Sequence, residues 1–154
     1  MTGLVRISRF RSTDMNDVLA IEQICFPGEA FDEGLFNRFA AKWPELFLVA
    51  RRGRRPIGYS LAEIEGREAE LVSIAVAPGQ RRRGLGEALL KATLRRLNRA
   101  GCGVCRLSVR TTNEAAIRLY EKHGFRPLRR LRNYYADGSE ALRMKKELAP
   151  PVRR

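Results

Sequence analysis

The chain has 154 residues, enough for one domain with a proper core, and a soluble globular profile of 44% hydrophobic and 31% charged residues. No apolar run approaches the roughly 18 residues of a membrane helix, and three cysteines are too few for a disulfide scaffold. The net charge of +13, from 30 Lys and Arg against 17 Asp and Glu, favours polyanionic partners, either a nucleic acid or a phosphorylated small molecule.

In chain order, Leu4 to Phe10 reads as a first strand, with Val5 and Ile7 alternating against Arg6 and Ser8. Thr13 or Asp14 is placed to cap a helix that carries Val18, Ile21, Glu22 and Cys25 at helical spacing. Pro27-Gly28 ends it, and Phe31 to Ala40 suggests a second helix with Leu35, Phe36 and Phe39 on one side. Glu45 to Arg51 and Ile57 to Ile64 form a hairpin around Gly53, and a turn at Gly66 leads into a strand from Glu70 to Ala77. On plain alternation, Glu70, Val72, Ile74 and Val76 share one face of that strand.

Pro78-Gly79 stops the strand, and Arg81-Arg82-Arg83-Gly84-Leu85-Gly86 opens a helix that runs toward Gly101. A helix start has N–H groups without intrahelical partners and partial positive charge. Glycines admit a ligand to the backbone and arginines add forked donors, so the loop reads as a pyrophosphate cradle. It is neither a P-loop, which needs Gly-Lys-Ser/Thr, nor the G-x-G-x-x-G dinucleotide fingerprint. Read alone, it could equally be a basic surface turn. Val104 to Arg110 alternates as the next strand, and a strand–helix–strand of this kind implies a parallel pair. Asn113 caps a helix bearing Ala116, Ile117 and Tyr120 on one face, stopped at Gly124. Phe125 to Leu131 and Ala141 to Leu148 are the last strands, joined through Asp137-Gly138, and residues 150–154 read as a frayed tail after a single domain over 1–149.

Cys25 ends a helical pattern as a core residue. Cys102 and Cys105 form a lone C-x-x-C, and with one His in the chain no metal site is expected. Cys105 fits strand alternation with Leu107 and Val109 as a small buried hydrophobe.

Two stretches carry a resemblance. Arg81-x-x-Gly84-x-Gly86, after a strand ending Ile74-Ala75-Val76-Ala77-Pro78, resembles the acetyl-CoA-binding motif of the GNAT superfamily of N-acetyltransferases. Asn113 to Phe125 resembles the second signature of that family, an Asn opening a helix that carries a Tyr before Gly-Phe. The likeness extends from about Val5 to Leu148 and is strongest to the bacterial ribosomal-protein-alanine N-acetyltransferases, which share the Arg-Asn-Tyr-Tyr run at Arg132 to Tyr135.

The resemblance implies an α/β fold of the α+β type, a mixed and mostly antiparallel twisted sheet of about seven strands with about four helices. Its central parallel pair splays to admit the pantetheine arm. It implies acetyl-CoA as co-substrate; a cytoplasmic location is the expectation from an N-terminal stretch, MTGLVRISRF, that lacks the apolar core of a signal peptide. The backbone of Ile74, Ala75 and Val76 would pair with the pantetheine amides like an added strand. Arg81, Arg82, Arg83, Gly84, Leu85, Gly86 and Glu87 would hold the pyrophosphate, and Asn113 would bind pantetheine, cap its helix, or both.

No Ser-His-Asp set is apparent, and the only His, His123, lies late in a helix, so direct attack by the amine fits best. In the most similar relatives the base is a glutamate in Leu-Glu-Val-Arg; here that stretch is Leu107-Ser108-Val109-Arg110, and the role does not carry over. Other branches use a glutamate fourteen residues before the first loop glycine, and Glu70 stands at that spacing from Gly84. A carboxylate beside apolar surface suits a general base. Tyr120 is the expected acid, since a phenol and an alkyl thiol have similar pKa values.

The resemblance implies a protein or peptide N-terminal α-amine as acceptor, with a ribosome-associated protein as one candidate, and neither a membrane nor a nucleic acid as substrate. Lysine side chains, polyamines or other small amines are the first alternative. A coenzyme A-binding or RNA-associated module without turnover is the second, motivated by Ser108 and the +13 charge.

Overall fold

The computed structural model describes residues 4–148, so the expected tail at 150–154 lies outside the described residues. Strand β1 (Val5–Arg9) leads through a single 3-10 turn to helix α1 (Met15–Cys25), and α2 (Glu33–Lys42) follows. Asp32 caps α2 by accepting the Leu35 N–H at 2.8 Å. Asp14 does not cap α1 with its side chain. Its carboxylate instead accepts from the Arg11 N–H and pairs with the Arg51 guanidinium, both charged side chains being buried. A buried arginine outcompetes a helix end for a carboxylate because it supplies charge as well as donors.

Strands β2 (Phe47–Arg52), β3 (Arg55–Glu65) and β4 (Glu68–Val76) form an antiparallel meander. Helix α3 (Leu85–Arg99) crosses over to β5 (Val104–Arg110), which pairs parallel to β4. Then come α4 (Glu114–Lys122), β6 (Arg126–Leu131) and β7 (Ala141–Glu147). The sheet order is β1-β2-β3-β4-β5-β7-β6, so β7 inserts between β5 and β6 and leaves β6 at the edge. Leu90, Leu94 and Leu97 of α3 pack on one face with Cys105, Leu107 and residues of α4. Met15, Val18, Ile21, Phe36 and Phe39 of α1 and α2 pack on the other, against Phe47, Tyr59 and Leu61. This is the mixed seven-stranded sheet with four helices that the sequence implies.

Two features of β4 position the site. The parallel pairing with β5 holds only from Glu68↔Val104 to Glu70↔Arg106, and beyond Glu70 the strands part. The second feature corrects simple alternation. Leu61 pairs with Ser73 and Ala62 with Leu71, so Val72 is an extra residue, a β-bulge. Ala69 and Leu71 face α3 before the bulge, and Ile74 and Val76 face it after, whereas Val72 and Ala75 pack toward α1 and α2. Glu70 therefore lies on the opposite face to Ile74 and Val76. One inserted residue reverses the parity of everything beyond it.

Candidate active site

Where β4 and β5 part, a cleft of about 740 Å³ opens. Glu70 and Ile74 reach it from β4, Ser108 and Arg110 from β5, Asn113 and Tyr120 from α4, Arg143 from β7, and Tyr134 and Tyr135 from the β6–β7 loop. The α1–α2 connection adds Phe26, Glu29 and Phe31. The splay thus gathers the expected proton acceptor, the expected donor and Asn113 into one space.

Beyond Glu70 the β5-facing edge of β4 has no ladder partner, while its other edge stays bonded to β3 through Ser60↔Ile74, Tyr59↔Ala75 and Gly58↔Val76. That leaves main-chain groups of Ile74 and the Val76 N–H for an extended ligand, whereas Ala75, of the same parity as Ala77 whose N–H bonds the Ile57 carbonyl, turns its main chain toward β3. The Val76 carbonyl is engaged, accepting from the Arg81 Nε at 3.1 Å and from the Cys25 thiol at 3.5 Å. Arg81 also reaches the Cys25 sulfur at 3.2 Å. Its side chain folds back onto the protein, and Arg81 braces the loop.

Arg82 and Arg83 are exposed. Arg82 and Gly84 adopt left-handed backbone conformations, with φ of 65° and 75°, which a glycine accepts freely and an arginine does at a cost. These turns set Gly84 at the N-cap of α3, so the N–H groups of Leu85, Gly86 and Glu87 begin the helix without intrahelical partners. Glu87 sends its side chain to α4, bonding Lys122 at 2.9 Å and His123 at 2.6 Å, and the hydrogen bonds from those two side chains hold its carboxyl down at about 2. Only its main chain faces the loop. His123, tied to Glu87, does not line the cleft.

Asn113 caps α4, its side-chain oxygen accepting the Ala116 N–H at 3.2 Å. Tyr120 is half-buried against Phe125, with ring centroids 5.7 Å apart. Burial, reinforced by Tyr135 and Cys105, pushes its phenol up to about 12. Glu70 is not flanked by bare apolar surface. Arg143 grips both of its carboxylate oxygens, at 2.5 and 2.7 Å, and also donates to the Ser108 hydroxyl at 3.1 Å.

Other residues here were not singled out from the sequence. Arg110 donates to both oxygens of Glu29 at 2.7 Å, to Asp137 at 3.1 Å, and lies 4.1 Å over the Tyr135 ring. It ties the α1–α2 connection to the β6–β7 loop across the mouth of the cleft. Glu22 is buried, bonds the Tyr59 hydroxyl and accepts the Phe31 N–H at 3.0 Å, and burial raises its pKa. It fixes the α1–α2 connection from below. A charged residue on the buried stripe of α1 was the available signal for it. Nothing local in the sequence pairs Arg110 with Glu29, 81 positions away. Cys102 and Cys105 are buried free thiols, and burial pushes Cys105 up to about 12, which suits a core residue. Among the described residues no group of His, Cys, Asp or Glu could hold a metal ion.

A split parallel pair, an open strand edge and a glycine loop at a helix start define an acyltransferase site. The chain belongs to the acetyltransferase (GNAT) family, which it matches over residues 15–125. It is 32% identical over 152 residues to an N-alpha-acetyltransferase of Sulfurisphaera tokodaii, with 90% of each chain covered. It is 34% identical over 140 residues to the ribosomal protein bS18-alanine N-acetyltransferase of Escherichia coli, covering 82% of this chain and 93% of that one. The crystal structure of Ard1 from Thermoplasma volcanium superposes with a TM-score of 0.89 at 33% identity, covering 94% of this chain and 98% of the other.

Proposed function

We propose that this chain, as a single domain over residues 1–149, transfers acetyl from acetyl-CoA to the N-terminal α-amine of a protein or peptide. The observation that carries the reading is the meeting of Glu70, Asn113 and Tyr120 in one cleft beside the unpaired edge of β4. The open edge at Ile74 and the Val76 N–H supplies an amide-pairing rail for the pantetheine arm. The backbone from Arg82 to Glu87, with the Arg82 and Arg83 side chains, receives the pyrophosphate. Names of similar proteins support an α-amine acceptor, and one of them supports a ribosomal protein as the substrate. No helix among the described residues is long and apolar enough to cross a membrane. We place the enzyme in the cytoplasm, where new N-termini emerge.

The reaction forms an N–C bond and breaks a C–S bond. The neutral amine attacks the thioester carbonyl directly, and Glu70 takes the proton its nitrogen sheds. Each oxygen of Glu70 gives one lone pair to Arg143, and a carboxylate has about four, so acceptor capacity remains toward the cleft. The Tyr120 phenol, raised to about 12, is a weaker acid than the departing thiol. It therefore works chiefly by donating a hydrogen bond to the developing thiolate. A carboxylate is a weak base, which favours an α-amine of pKa roughly 8 over a lysine of roughly 10.4.

The test is release of free coenzyme A thiol with short peptides of varied N-termini, the same peptides N-terminally blocked, lysine peptides and small amines. Turnover confined to free N-termini is expected. Turnover of blocked lysine peptides or small amines would move the acceptor to the first alternative. Acetyl-CoA binding without turnover on any acceptor would favour a binding module.

A further inference from the structure

Ser108 and Arg143 are directly paired residues on β5 and β7, and Glu70 lies across the seam on β4 at the last registered β4–β5 pair. Arg143 reaches across that seam. One nitrogen of its guanidinium holds both the Ser108 hydroxyl, at 3.1 Å, and one Glu70 oxygen, at 2.5 Å, and a second nitrogen holds the other oxygen at 2.7 Å. The pair is shielded, with side-chain exposures of 19% for Arg143 and 30% for Glu70. All three residues line the cleft.

A glutamate on a free strand would swing among rotamers. Glu70 also faces Glu63, its cross-strand partner on β3, whose charge would push it away from the seam. A fork gripping both oxygens fixes the carboxylate plane, which a single-point cation would not do. The small side chain at 108 leaves the guanidinium room to pass.

We propose that Arg143 is the positioning residue of this site, carrying the Glu70 carboxylate across the β4–β5 seam to the cleft wall beside Ser108. Arg143, Ser108 and Glu70 then form one unit spread over three strands. The proposal rests on the reading of Glu70 as proton acceptor.

The test is a double-substitution cycle on peptide turnover with Arg143→Leu, Arg143→Lys, Glu70→Gln and Arg143→Leu/Glu70→Gln. Arg106→Leu serves as the control, since Arg106 joins Glu68 across the same seam and does not line the cleft. Arg143→Leu should lower kcat about tenfold or more, within the range for disturbing acid–base groups, with KM for acetyl-CoA unchanged. Arg143→Lys should fall between it and the parent, because it keeps the charge and loses the fork. The double variant should be no slower than Glu70→Gln alone, because Arg143 acts through Glu70. Arg106→Leu should leave kcat unchanged. If Arg143→Leu fails to fold, Arg143→Lys against Glu70→Gln carries the same comparison. Parental kcat in Arg143→Leu or Arg143→Lys, or additive losses in the double variant, would overturn the proposal. Parental turnover in Glu70→Gln would instead remove Glu70 as the proton acceptor.

Discussion

Tyr120 and Cys105 show how single side chains report their surroundings. Burial sets both near 12 in the folded protein, against ordinary values of 10 and 9. Each group is neutral when protonated, so the folded chain holds these protons more tightly than the unfolded one. Stability from the two is complete below about pH 9 and is lost as the pH rises toward 12. Chemical denaturation at pH 7 and pH 11 checks this, and Cys105→Ala should show a smaller loss between the two. In catalysis, Tyr120→Phe should lower kcat by about a hundredfold with little change in KM. Parental kcat would assign Tyr120 to the core alone. The positions of Glu70 and Tyr120 were legible through motif spacing, but their partners were not. Arg143 meets Glu70 only because β7 inserts next to β5, and no local pattern announces such an insertion.

At the scale of elements, periodicity and turn residues located the seven strands and four α-helices to within about two residues, and β5 runs from Val104 to Arg110 as the alternation of its apolar residues indicates, but Pro44–Leu46 is a 3-10 helix where the second strand is expected to begin. What they missed came from departures from regularity. The bulge at Val72 reverses the faces of β4, and it depends on how β3 aligns rather than on the composition of β4. Asp14 has the residue type of an N-cap yet serves Arg51 on β2, 37 positions away. Burial opposes charge on Asp14, but the guanidinium and the Arg11 N–H outweigh it and keep its carboxyl below the ordinary value. Removing one partner strands the other charge in the core. Arg51→Met should therefore cost about 3–5 kcal/mol, read from denaturant midpoints. The loop before α3 makes a milder prediction. A Cβ at Gly84 would meet nothing within 4 Å, so Gly84→Ala is strained only through its φ of 75°. About 1–2 kcal/mol of stability should go, with weaker acetyl-CoA binding by calorimetry as the helix start shifts.

For the whole molecule, the sheet halves are joined at β4 and β5 by a short ladder and held open above it. Arg110 spans the upper end of that opening, bonded to Glu29 on one side and Asp137 on the other. Arg110→Ala should free both loops, raising KM for the peptide about tenfold as a loss of preorganisation, while the affinity for acetyl-CoA stays at its parental value. The +13 charge, broad in the sequence, becomes specific in the structure. Within the cleft, Arg110 and Arg143 are matched to Glu29 and Glu70, while Arg82 and Arg83 remain exposed beside the loop. The chemistry proposed for this cleft is acetylation of an α-amine. The most direct measurement is tandem mass spectrometry of a single peptide with a free N-terminal alanine and an internal lysine, after incubation with the enzyme and acetyl-CoA. Acetyl is expected on the α-amine alone, and none when Glu70→Gln replaces the parent; acetyl on the lysine, or equal labelling by the variant, would overturn this assignment.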